Sequence, residues 1–309
     1  MIFIYYSIFH LTFYLSYLLN KKIHNYDVPS KIKKHKKKVI TSGGLLPFLL
    51  LAVLIIYLFY QNFGIISYRT ENIPFFLSIP IGIFILTIVS FLDDLKNISI
   101  KLRLSIQFIV VFFSITALPF DTDLIIKIAT FDVKLSIKFC IFLSIVLWIY
   151  FINATNFYDG ADGLIGSQLI NFGLSYFIIY KKIGLFFISE ISLLILLIGI
   201  SFLFFNFSKK KKMFLGDTGS IVSGYLFGFL SIRLILDGYY LAPILISFTM
   251  AFDIFLSLLG RIYNKKSIFI RHDDFIFKKI IKKSSLKKYL FILILIQSIL
   301  SLYAIQSIR

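Results

Sequence analysis

Charged residues are scarce in this chain of 309. They make up 16% of it, against about 25% in an average soluble domain. Acids are scarcer still, with 15 Asp and Glu against 33 Lys and Arg. Hydrophobic residues reach 59%, Phe alone occurs 37 times, and the mean hydropathy is +0.90. One core of this size cannot take that much apolar surface out of water, which excludes a soluble enzyme and a disordered tail. There is one cysteine, Cys140, inside an apolar run, so a disulfide framework and a Cys-based metal site are excluded too. The first residues, MIFIYYSIFHLTFYLSYLLN, lack a basic n-region and a small-residue cleavage site. They read as a retained span, not a cleaved signal. No internal repeat, soluble domain or long linker is visible, so residues 1–309 are predicted to form one integral membrane domain.

What is present is a series of apolar runs. A helix needs about 20 such residues to cross a bilayer core. Ten runs qualify, near 1–19, 45–63, 74–92, 104–120, 137–154, 164–180, 184–206, 219–236, 239–259 and 289–307. The predicted fold class is therefore an all-α polytopic membrane protein of about ten transmembrane helices. Of the 33 basic residues, 25 fall in the alternate loops 21–44, 93–103, 153–163, 208–218 and 260–288. By the positive-inside rule these loops are cytoplasmic and both termini lie outside. The other side has modest loops, and 121–136 alternates enough to suggest a short surface hairpin. The excess of +18 is thus a topological signal and a surface for anionic lipid, with no nucleic acid implied.

The few acids are concentrated. Asp27, Asp93, Asp94, Asp159, Asp162, Asp217, Asp253, Asp273 and Asp274 lie on or near the basic side, and none of these is Glu. A short carboxylate close to the backbone suits metal coordination or fixed hydrogen bonding better than a flexible solvating face. The Asp93-Asp94 pair at the end of span 3 is followed by Lys96, Lys101 and Arg103. Adjacent carboxylates repel unless a cation or their neighbours hold them apart. The loop NATNFYDGADGL, 153–164, carries Asn153, Asn156, Asp159 and Asp162 with no basic residue, and its Asp-Gly steps mark tight turns. The segment SKKKKMFLGDTGS, 208–220, places Gly216 and Asp217 at the start of span 8, where backbone N–H groups favour phosphate. Its lysines, 209–212, read as topological. The loop 260–288 contributes Arg261, Arg271, His272, Asp273 and Asp274, and 24–44 contributes Asp27, Pro29, His35 and Gly43-Gly44.

These motifs resemble the polyprenyl-phosphate N-acetylhexosamine-1-phosphate transferases, glycosyl transferase family 4. That superfamily includes the phospho-MurNAc-pentapeptide translocase and the GlcNAc-1-phosphate transferases. The resemblance runs from about residue 24 to 274. It rests on DVPS…TSGG (27–44), DD…SIKLRLSIQ (93–107), NATNFYDGADGL (153–164) and FLFFN…FLGDTGS (202–220). It implies transfer of a sugar-1-phosphate from a UDP-sugar to a polyprenyl phosphate such as undecaprenyl phosphate, releasing UMP. The setting would be the bacterial inner membrane, with the active site on the cytoplasmic face, at the start of lipid-linked envelope glycan synthesis. Carried over residue by residue, Asp93 and Asp94 are the catalytic pair, with Asp93 the base. Asp217 binds Mg²⁺, with Mn²⁺ as the alternative ion. Asn153, Asn156, Asp159 and Asp162 shape the nucleotide and metal region. Lys101 and Arg103 lie near the lipid phosphate, Asn206 precedes the Gly-Asp-x-Gly-Ser element opened by Gly216, and His272 remains from a histidine-rich element. Phe275 and Phe277 stand where relatives carry histidines. That departure points toward O-antigen-type, lipopolysaccharide-related transferases and away from a MurNAc-pentapeptide substrate. It leaves the sugar open, as it does the choice between one-step and two-step transfer. Oligomeric state is open as well, with a homodimer among the options. A transporter and a family member without activity are the competing classes. His10 and Asp253 are the nearest candidates for an intramembrane ion path.

Overall fold

The architecture comes from a computed structural model, which describes residues 2–27, 38–66, 73–118, 124–128, 131–209, 212–267 and 274–308. Nine long helices follow one another: α1 (Ile2–Lys22), α2 (Leu45–Ile66), α3 (Ile73–Lys96), α4 (Ile100–Thr116), α5 (Ile137–Tyr158), α6 (Leu164–Lys182), α7 (Phe186–Asn206), α8 (Asp217–Leu236) and α9 (Leu241–Tyr263). A short α10 (Ile276–Lys283) precedes α11 (Leu286–Ser307). Each apolar run of the sequence falls on one of the ten long helices. Eight of these are long and apolar enough to cross a membrane. The other two are α4, with 17 residues, and α6, whose inner turns carry Ser167, Gln168, Asn171 and Ser175. The chain is thus a helical, polytopic membrane protein.

Among the described residues there are also two small antiparallel pairings. Strands β3 (Leu124–Ile128) and β4 (Phe131–Leu135) form the hairpin that the alternation in 121–136 predicts. Strands β1 (Tyr26–Asp27) and β2 (Val39–Ile40) pair between α1 and α2. Ile40 also bridges in parallel to Met213, just ahead of α8.

Helix α8 is the axis of the bundle, with 83% of its span buried. Without water to drive association, close van der Waals contact between small residues must hold such helices together. Gly224 supplies it: a Cβ there would sit 2.6 Å from the backbone of Phe151 and Ile152 on α5. Trp148 stacks on Tyr225 at 5.2 Å between centroids and donates its indole N–H to the Tyr225 carbonyl at 2.8 Å. The Tyr225 hydroxyl meets Ser114 of α4 at 2.6 Å. These contacts fix α4, α5 and α8 mutually, and so fix their ends.

Side chains such as Phe113, Phe142, Phe291 and Tyr303 point outward and are exposed, as a lipid-facing surface requires. The segment 260–288 is more structured than a loop. Ile276–Lys283 forms an amphipathic helix, with Phe277 buried and Lys278, Lys279, Lys282 and Lys283 on the same turns.

Candidate active site at one end of the bundle

Five of the aspartates, Asp93, Asp94, Asp159, Asp162 and Asp217, meet at a single end of the bundle. It is formed by the last turn of α3, the first turn of α4, and the connections α5–α6 and α7–α8. Their common cation is Arg103. Its Nη1 donates to Asp93 Oδ2 at 2.7 Å and to Asp217 Oδ2 at 3.0 Å. Asp93 Oδ1 accepts from the Ile98 amide at 2.6 Å, which holds the α3–α4 turn around it. Ser99 caps α4 through the Leu102 amide, so Arg103 projects from the first turn of an ordered helix. Three helix ends thus meet at one guanidinium.

Asp94, the neighbour of Asp93, faces elsewhere. Its Oδ2 accepts from Ser42 Oγ and Thr218 Oγ1, each at 2.6 Å, and from the Thr218 amide at 3.3 Å. Its Oδ1 accepts from the Asp217 amide at 3.2 Å. Asp94 therefore caps α8 from another helix, a favourable place for a negative charge. This corrects one expectation. The N–H groups that open α8, expected to face phosphate, are given to Asp94. Gly216 has φ +76°, and a Cβ there would lie 2.7 Å from Asp94 Oδ2 and from the Ser42 amide. Its role visible here is to let those two groups approach. Ser42 Oγ in turn accepts from Asn25 at 2.8 Å, and Asn25 donates to Asn20 at 3.0 Å. A buried polar chain thus runs from α1 to the turn carrying Asp217.

The α5–α6 loop closes the other side. Asp162 pairs with Lys212. Asn206 accepts from the Gly163 amide at 2.5 Å and donates to the Met213 carbonyl at 3.3 Å, tying both connections together. Asn156 accepts from Ser220 at 2.9 Å. Asn153 is deeper and donates to Gln107 of α4 at 2.9 Å. Removal from solvent, then the negative charges of Asp217, Asp162 and Asp94, push the Asp159 carboxyl up to about 8. Asp159 and Asp217 are both raised by burial and by neighbouring carboxylates, and a cation beside them would relieve that. Among the described residues no group of three or more His, Cys, Asp or Glu is arranged around one ion. Magnesium needs fewer, because one or two carboxylates plus substrate phosphates suffice. Asp217, with Asp159 close enough to feel its charge, fits that requirement.

The predicted residues separate accordingly. Asp93, Asp94, Arg103, Asn156, Asp159, Asp162, Asn206, Gly216 and Asp217 gather at this end, with Asn153 about one and a half turns below. Lys101 is exposed on the first turn of α4. His272, like Pro29, His35, Arg271 and Asp273, lies outside the described residues. Lys212, the last of the lysine run that read as topological, pairs with Asp162. Ser42 and Thr218 were missed, and only their position beside the glycines of TSGG and GDTGS marks them. Asp253, a candidate for an ion path, accepts from the Phe277 amide at 2.8 Å and so caps α10. His10 packs on Phe205 at 5.1 Å between centroids.

Comparison with known proteins gives a consistent set of likenesses. Residues 75–235 match glycosyl transferase family 4. Over 254 residues the chain is 30% identical to a "probable undecaprenyl-phosphate N-acetylglucosaminyl 1-phosphate transferase" of Bacillus subtilis, covering 80% of this chain and 67% of that one. It is 30% identical over 207 residues to the phospho-N-acetylmuramoyl-pentapeptide-transferase of Thermotoga maritima, covering 64% and 61%. A shorter stretch of 121 residues is 40% identical to the Staphylococcus epidermidis protein of the latter name, covering 37% and 35%.

Proposed function

Since the chain belongs to glycosyl transferase family 4, we propose that it transfers a sugar-1-phosphate from a UDP-sugar to a polyprenyl phosphate and releases UMP. The sugar proposed is an N-acetylhexosamine, and the acceptor undecaprenyl phosphate. The placement proposed is a bacterial inner membrane with the site facing the cytoplasm. The basic loops flanking the site support that orientation. The observation that carries the reading is Arg103 held between Asp93 and Asp217 at the end of three helices.

Both substrates are polyanions, and a low-dielectric cleft raises the cost of bringing them together. Arg103 supplies fixed positive charge at the centre of the site, and Lys101 adds charge at its rim. Asp93 lies beside Arg103, with its second oxygen fixed by the Ile98 amide. It can accept the remaining proton of the lipid phosphate or hold that phosphate in line. A lipid-phosphate oxygen then bonds to the β-phosphorus of the donor, and the bond from that phosphorus to the bridging oxygen breaks, so UMP departs. Asp94 holds the first turn of α8 and thereby the position of Asp217. Mg²⁺, or Mn²⁺, held by Asp217 with Asp159 nearby would neutralise the donor diphosphate.

The test is UMP release by the purified chain supplied with undecaprenyl phosphate and a panel of UDP-sugars. Turnover is expected with at least one UDP-N-acetylhexosamine, lost on chelation of divalent ions and restored by Mg²⁺. Absence of UMP across the panel overturns the proposal.

A further inference from the structure

The last stretch of the chain carries charge of one sign. From Phe275 to Arg309 it holds six lysines and no Asp or Glu. Asp274, just before it, pairs with Arg261. Four of the lysines, Lys282, Lys283, Lys287 and Lys288, lie in the last turn of α10 and the first turn of α11, and all four are exposed. The ion pairs among the described residues involve none of them. A helix face turned to water usually mixes signs, because opposite charges three or four residues apart support each other and like charges repel. Four ammonium groups crowded into 282–288 repel one another, and an anion from outside the chain relieves that repulsion.

The surroundings say what kind of anion. The inner face of α10 is seated on the bundle. Phe277 is fully buried and meets Tyr158, the last residue of α5, edge-on at 5.0 Å, and Ile281, one turn on, packs against the same core. Asp253 and Ser257 of α9 hold the first turn through the Phe277 and Ile276 amides. At 100° per residue, Lys282 and Lys283 then point away from that face. Ile280, between the two faces, is 44% exposed, and one turn into α11 the outward side chains become apolar, with Phe291 71% exposed. The lysines therefore stand where a charged surface meets an exposed apolar one, the boundary between lipid headgroups and acyl chains. A dissolved nucleotide would match the charge and leave Ile280 and Phe291 in water. A leaflet carrying anionic headgroups satisfies both.

We infer that Lys282, Lys283, Lys287 and Lys288 form a docking surface for anionic phospholipid headgroups, which fastens α10 to the leaflet on the side of the site. The docking needs no turnover, so its test needs none. The purified full-length chain is reconstituted in phosphatidylcholine vesicles, and the share of spin-labelled phosphatidylglycerol immobilised by the protein is compared with that of spin-labelled phosphatidylcholine. The unsubstituted chain favours phosphatidylglycerol about threefold, and salt at about 1 M removes most of the preference. The double variant Lys282→Gln, Lys283→Gln loses part of it, and adding Lys287→Gln and Lys288→Gln brings the two lipids near parity. A control with Lys21→Gln, Lys22→Gln, Lys265→Gln and Lys266→Gln removes equal charge from other exposed lysines and keeps the preference. Equal immobilisation of both lipids by the unsubstituted chain overturns the inference. So does an equal loss in the two fourfold variants, the mark of a diffuse basic face. If the fourfold variant does not fold, the folded double variant decides, and an unchanged preference there overturns the inference. Displacement of the labelled lipid by millimolar UDP would assign the lysines to a soluble nucleotide and overturn it as well.

Discussion

Replacing Arg103 by Ala removes the only group that touches both Asp93 and Asp217 among the described contacts. Its hydrogen bond to Asp93 is 2.7 Å long, and the Asp93 side chain is 8% exposed. A charged hydrogen bond of that kind contributes about 1.5–3 kcal/mol. The contact to Asp217 is 3.0 Å, and that side chain is 32% exposed. Solvent screening reduces it to about 0.2–1 kcal/mol. The substitution also leaves two carboxylates facing each other where a polyanion must bind. If roughly 3 kcal/mol of this is expressed in the transition state, kcat/KM falls on the order of a hundredfold. The assay is UMP release with both substrates varied, alongside an unfolding temperature to separate catalysis from stability. Arg103→Lys recovers charge but not the guanidinium fork, so it lies between the two. If Arg103→Ala retains kcat/KM within about threefold of wild type, the arginine is not the charge centre and the reasoning fails.

Other outcomes follow from the same geometry. Asp93→Asn and Asp217→Asn each lower turnover at least about a hundredfold in a chain that still folds; near-normal turnover in either removes that residue from its role. Gly216→Ala forces a Cβ against Asp94 Oδ2 at 2.7 Å in a left-handed backbone. It costs about 1–3 kcal/mol of stability, read as a lower unfolding temperature, and an unchanged temperature contradicts the close approach. Lys209→Gln is close to wild type in turnover, while Lys212→Gln breaks the pair with Asp162 and lowers turnover several-fold; equal effects would return the whole lysine run to a topological role.

The helices were readable because a span is a long apolar run, and each of the ten runs lies on a long helix. Two of them separate from the rest for physical reasons. Helix α4 is short, and α6 carries amides and hydroxyls that face protein, Gln168 being fully buried. Helix α10 escaped notice because eight residues reading IFKKIIKK look like a basic loop until Phe277 finds its place against Tyr158. The site was legible as a set of aspartates but not as a division of labour. Asp93 and Asp94 are adjacent in sequence, yet neighbours on a helix point about 100° apart. One reaches Arg103 and the other the start of α8. Nothing in the spacing separates their partners, because Ser42 and Thr218 arrive from distant parts of the chain. Lys212 was hidden in the same way, as the last of four identical residues. Asn206, by bonding both Gly163 and Met213, brings the neighbouring Lys212 and Asp162 together.

The central claim is that the sugar and one phosphate move together onto the lipid. The most direct measurement uses UDP-N-acetylhexosamine radiolabelled at the β-phosphorus, incubated with the purified chain and undecaprenyl phosphate. The account predicts label in the lipid-linked diphosphate sugar and none in the released UMP. Label retained in a released nucleoside diphosphate would mean that the sugar moves alone, and would contradict it.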